Sequence, residues 1–126
     1  MPSKKQSILI IDDDPSILRT FTRLLNKAGY ALDTAKTRIE ALEKFTTRSF
    51  DAALIDVGLG KTKGTDLLPQ MQKVPSKMLR IVLTGTPMPW SMLNEARRSA
   101  DVFLLKPVKP EMLLEIFEEK LKRWKK

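Results

Sequence analysis

The chain has 126 residues, 42% of them hydrophobic and 30% charged, with a formal net charge of +8. That suits one globular domain built on a single core, spanning 1–126 with an ordered core over about 6–124. Neither cysteine nor histidine is present, which excludes disulfides, thiolate metal sites, the usual zinc sites and any histidine base or phosphodonor within the chain.

No apolar run approaches the roughly 20 residues of a membrane span. The opening MPSKKQSILII has too short an apolar stretch for a secretory signal. A cytoplasmic protein without membrane partners is expected.

The first predicted strand is Ile8–Ile11, and it runs straight into Asp12, Asp13 and Asp14. Adjacent like charges disfavour ionisation unless something offsets them. A helix follows, with Asp14 as N-cap, Pro15 at the first helical position and Gly29 after the end. Its inward face reads Ile17, Leu18, Phe21, Leu24, Leu25 and Ala28. Asp14 therefore has a structural task, and Asp12 and Asp13 are left over.

A second strand, Tyr30–Thr34, is mixed in polarity and looks peripheral. Thr37-Arg38-Ile39-Glu40 is a capping-box pattern that opens a helix through Phe45. The third strand, Ala52–Ile55, ends at Asp56. A third helix is expected over about 65–73, with Pro69 inside it. The fourth strand, Ile81–Leu83, leads to Thr84 and Gly85, and a fourth helix is expected over about 90–99. The fifth strand, Val102–Leu105, ends at Lys106. The last helix starts near Pro110, with Met112, Leu113, Ile116, Phe117 and Leu121 inward.

Strands alternating with helices predict an α/β fold, a doubly wound (βα)5 sandwich around a parallel sheet. Four of the five strand runs are near-continuously apolar, as for strands covered on both faces. In such sheets ligands bind outside the carboxyl ends of the strands. Those ends deliver Asp12, Asp13, Asp56, Thr84 and Lys106 to one rim. Carboxylate oxygens with retained waters describe a Mg²⁺ site. A carboxylate beside the metal can attack phosphorus. A lysine and a hydroxyl can hold the oxygens of a transferring phosphoryl group.

Across essentially its whole length the sequence resembles the receiver domains of two-component response regulators. The matching residues are IIDDDP at Asp12 and Asp13, LIDVGLGKTKG around Asp56 with Gly64 eight residues on, LTG at Thr84 and FLLKP at Lys106. The resemblance implies a five-stranded sheet of order 2-1-3-4-5. It implies Asp56 as phosphoacceptor and Mg²⁺ as cofactor. Asp13, Asp56 and the Gly58 carbonyl would ligate the ion, with Asp12 supporting through water. Thr84 would bond the phosphoryl oxygen and carry the switch, with Phe103 at the aromatic switch position. Lys106 would pair with Asp56 or its phosphate, and the Lys106–Pro107 bond would be cis.

The implied activity is signalling rather than turnover. A sensor histidine kinase or histidine phosphotransfer protein would donate the phosphoryl group. The surface of the fourth helix, fifth strand and fifth helix would then act on an output domain or target, with a homodimer possible. The sequence departs from the family at Gly60, commonly proline, at Pro69, Pro87 and Pro89, and at Phe103, commonly tyrosine.

Two other readings of the same residues exist. A phosphatase of the haloacid dehalogenase type could use Asp12, Asp14, Thr84 and Lys106. Its further acidic motif should follow the lysine, yet only Glu111, Glu115, Glu118 and Glu119 do, all in the last helix. A binding module that kept the fold and lost switching would not need the intact constellation. The basic end, KLKRWKK, suits a solvated helix terminus that complements the dipole, and nucleic-acid binding by this domain alone is not expected.

Overall fold

The computed structural model describes residues 5–57, 78–84, 100–106 and 108–124. The expected third and fourth helices lie outside the described residues. So do Gly58, Gly60, Gly64, Pro69, Gly85, Pro87, Pro89 and Pro107, and the side chains of the basic end from position 123.

Five strands form the sheet: β1 (Ser7–Ile11), β2 (Ala31–Ala35), β3 (Ala52–Val57), β4 (Leu79–Thr84) and β5 (Val102–Leu105). They lie parallel in the order β2-β1-β3-β4-β5. Three described helices accompany them: α1 (Pro15–Lys27), α2 (Arg38–Thr47) and α3 (Pro110–Trp124).

β1 lies between β2 and β3 and is buried on both faces, which is why Ile8–Ile11 is apolar without a break. Successive residues face opposite ways. Leu9 and Ile11 join Ala53, Ile55 and Val82 in a core with Ala41 and Phe45 of α2. Ile8 and Ile10 join Leu54, Ile81 and Leu83 in a second core with Leu18, Phe21 and Leu25 of α1 and Leu113, Phe117 and Leu121 of α3. Each of these large side chains contributes roughly 1.5–3 kcal/mol by leaving water.

α1 begins as its sequence dictates. Asp14 is extended at the N-cap and accepts the Ser16 amide at 2.9 Å, and Pro15 holds the first helical position. The helix stops where Gly29 takes φ +105°. In α2, Thr37 Oγ1 accepts the Glu40 amide at 3.1 Å, while Glu40 Oε1 accepts the Lys36 amide at 2.7 Å. The reciprocal bond of the capping box thus reaches one residue further back than the motif predicts.

Four expectations need correction. β5 is only half covered: Phe103 packs against one core and Val102 and Leu104 against the other, each of them half-buried. It is the sheet edge opposite β2, and Leu105 is 69% exposed. Met112 does not face inward; it is 51% exposed, because the α3 stripe of Leu113, Phe117 and Leu121 already fills the seam. Ala28 is exposed, since it is the C-cap of α1 and not its last core position. β2 runs one residue later than expected, because Tyr30 turns into the core beside Phe117 while Ala35 continues the ladder with Ile11.

Candidate functional site at the carboxyl ends of the strands

Parallel pairing brings the strand ends to one rim. Ile11 lies opposite Ile55, so Asp12 and Asp56 follow as neighbours on adjacent strands. Val57 lies opposite Thr84, and Thr84 opposite Leu105. The Lys106 amide then donates to the Thr84 carbonyl at 2.8 Å, fixing where the lysine leaves the sheet. From there Lys106 Nζ reaches Asp56 Oδ2 at 2.6 Å. This is the short distance of a charge-assisted bond.

Asp12 is 2% exposed, Asp56 8% and Thr84 2%. Asp12 is not left over. Its Oδ1 accepts the Asp14 amide at 3.0 Å, which shapes the turn that delivers the N-cap of α1. Burial pushes the Asp12 carboxyl up from 3.8 to about 7. The Asp14 amide opposes that rise, contact with Asp56 and its charge reinforce it, and Lys106 partly offsets it. Asp13 is exposed in the turn. Phe103 is half-buried, opposite Val82 and against the core beneath α2.

The structure therefore brings Asp12, Asp56 and Lys106 together, with Thr84 at the next strand end. Asp13 is at the same rim but turned to solvent. Among the described residues, no three acidic side chains gather into a ready metal cage. The donor chemistry still fits a hard divalent cation. Two carboxylates in contact, one of them driven towards its protonated form, are what such an ion offsets. Mg²⁺ commonly takes one or two carboxylates and keeps several waters.

Sequence reading missed the polar ties that hold the strands in place. Asp33 of β2 accepts Lys44 Nζ and Arg48 Nη1, each at 2.7 Å, and so clamps α2 to the edge strand. Asp51 accepts the Ser7 amide at 2.7 Å, and Asp101 the Arg80 amide at 2.8 Å, at the amino ends of β1 and β4. Each acid precedes or joins a strand, but its partner lies far along the chain and leaves no local pattern.

The family model for the response regulator receiver domain matches residues 8–118. The chain belongs to this family. The receiver domain is a signalling module. It is 32% identical over 112 residues to the alginate biosynthesis transcriptional regulatory protein AlgB of Pseudomonas aeruginosa, covering 88% of this chain and 25% of that protein. It is 31% identical over 109 residues to the acid tolerance regulatory protein ActR of Sinorhizobium medicae, covering 86% of this chain and 56% of ActR. The receiver thus spans between a quarter and about half of these relatives.

Among solved structures, a CheY-like receiver domain protein from Methanospirillum hungatei JF-1 superposes with a TM-score of 0.89 at 34% identity, covering 96% of this chain and 97% of that one. A Burkholderia pseudomallei response regulator, solved with a phosphorylated aspartic acid, a calcium ion and citrate, gives a TM-score of 0.81 at 27% identity over 94% of this chain and 69% of that one. Among the described residues of this receiver, no helix is long and apolar enough to cross a membrane.

Proposed function

We propose that this receiver accepts a phosphoryl group on Asp56 and uses it to switch a surface that acts on a target. The 2.6 Å contact between Lys106 and Asp56, beside the buried Asp12, carries the reading. An Asp56 oxygen attacks phosphorus of a phosphohistidine on a partner kinase or phosphotransfer protein. The P–N bond breaks, and its electron pair stays on the imidazole nitrogen, which takes up a proton if it is not already protonated. The Asp56 carboxylate becomes a mixed anhydride. Lys106 moves from the carboxylate to the new phosphoryl oxygens, and the Thr84 hydroxyl donates to another. Asp12, Asp13, Asp56 and the Gly58 carbonyl are the residues that would hold Mg²⁺, which when bound neutralises the phosphoryl oxygens.

The readout surface in this proposal is the predicted fourth helix, β5 and α3. Exposed Leu105 on β5 and exposed Met112 on α3 support it, since large apolar side chains in water suit a docking face. Phe103, half-buried on β5 beside the β4 strand that ends at Thr84, suits a ring that can change position with that threonine. The target is an output domain or partner protein, as the regulatory names of the longer relatives suggest, and a cytoplasmic setting follows from the kinase partner.

Intact mass after incubation with acetyl phosphate and Mg²⁺ tests the proposal. Wild type is expected to gain the mass of a single phosphoryl group. Asp56→Asn and chelator-treated wild type are expected to gain none. A gain that persists in Asp56→Asn would place the acceptor elsewhere.

A further inference from the structure

α1 carries no acidic residue, yet Arg19, Arg23 and Lys27 stand at successive i, i+4 positions. That spacing sets like charges against each other on one helical face. None of the three forms an ion pair with a described acid, and neither does Lys36. Of the acids nearby, Asp33 holds Lys44 and Arg48, Glu40 holds the Lys36 amide, and Asp14 caps α1.

Arg19, Arg23 and Lys36 meet at a cleft of about 390 Å³ between α1 and the end of β2, and neither Asp56 nor Lys106 lines it. Its floor is apolar, from Pro15 and Leu18. Thr22 and Thr34 add hydroxyls, and among the described residues nothing bonds the buried Thr22 Oγ1. A buried hydroxyl left unpaired in a native fold calls for an explanation such as an absent ligand or water.

We infer that this cleft binds a nucleoside phosphate. Two arginines on one helical face offer planar forks that match phosphate oxygens, and a guanidinium can also stack on a base. Lys36 adds a third positive charge from the opposite wall. The apolar floor accepts a flat base, and the two threonines can bond ribose or base edges. The volume falls within the roughly 300–1,000 Å³ of small-molecule sites. A bare phosphate would leave the apolar floor unused, and an uncharged nucleoside would leave the cations unmatched.

The test is a titration of the ¹⁵N-labelled chain with AMP, adenosine, inorganic phosphate and a short single-stranded RNA, followed by amide shifts. AMP is expected to give saturable shifts centred on residues 18–23 and 34–36. Adenosine and phosphate should each bind at least about tenfold more weakly. Arg19→Gln/Arg23→Gln should weaken AMP binding about tenfold or more. Lys27→Gln/Lys120→Gln removes the same charge outside the cleft and should leave it unchanged, as should Asp56→Asn. The site is overturned if AMP does not saturate, if adenosine binds as well as AMP, or if both double variants weaken AMP equally. Shifts centred on Asp56 and Lys106 instead, or an RNA that binds more tightly over a wider surface, would overturn it too.

Discussion

A carboxyl group buried beside a second carboxylate is costly to ionise, and Asp12 is in that position. Folding raises its pKa from 3.8 to about 7. The native state therefore keeps a proton that the unfolded chain has lost. Stability from this group is full below the unfolded value and is lost as pH rises towards the folded one. Asn at position 12 keeps an oxygen for the Asp14 amide and removes the charge. In metal-free buffer at about pH 8, Asp12→Asn is expected to exceed wild type in stability by on the order of a few kcal/mol. The gain should vanish near pH 4, as read by urea denaturation at each pH. Equal stability of the two proteins across the range would show that Asp12 ionises freely in the fold. The presence of an acid here was legible from IIDDDP. Its bond to the Asp14 amide was not, because Asp14 alone accounts for the helix start.

The elements were legible to the degree that their residues answer to local rules. β1, β3 and β4 are covered on both faces and read as unbroken apolar runs. β5 reads the same way, yet Leu105 is exposed at the sheet edge, because an apolar run records what can be buried and not what is. Gly29 was placed by the rule for helix ends, and its φ of +105° confirms the rule. A Cβ there would meet nothing within 4 Å, so the cost of Gly29→Ala is purely conformational. About 1 kcal/mol of lost stability is expected in chemical denaturation; no loss would mean that the turn relaxes.

The α2–β2 clamp was illegible, since Asp33 finds its cations 11 and 15 residues away. Burial alone would raise the Asp33 carboxyl, but its bonds to Lys44 and Thr34 and the charges of Lys44 and Arg48 outweigh it, and the net direction is down. The clamp's contribution is complete above the unfolded value of 3.8 and is lost as pH falls through the lowered folded value. Asp33→Asn is expected to cost about 1 kcal/mol at neutral pH, because both pairs are partly solvated. That difference should disappear in acid, and a cost that persists there would point to packing instead of charge.

At the scale of the molecule, the sheet order does the collecting. Asp12 and Asp13 follow β1, Asp56 stands near the end of the adjacent β3, and Lys106 arrives from the far edge after β5. In the unfolded chain Asp13 and Asp56 are separated by 43 positions, so no cation site exists there. A divalent cation held by the native rim must therefore stabilise the fold by mass action. At tenfold over its Kd the gain is about 1.4 kcal/mol, or roughly 4–6 °C in Tm for a domain of this size. Thermal melts at rising Mg²⁺ are expected to shift upward to that extent and to return with chelator. Asp13→Ala/Asp56→Ala should melt at one temperature whatever the Mg²⁺ concentration. This double variant separates the rim from diffuse screening, since the net charge of +8 repels free cations and favours anions elsewhere on the surface. A wild-type Tm indifferent to Mg²⁺ would remove the metal from the proposal, and an equal shift in the double variant would move the ion away from Asp13 and Asp56.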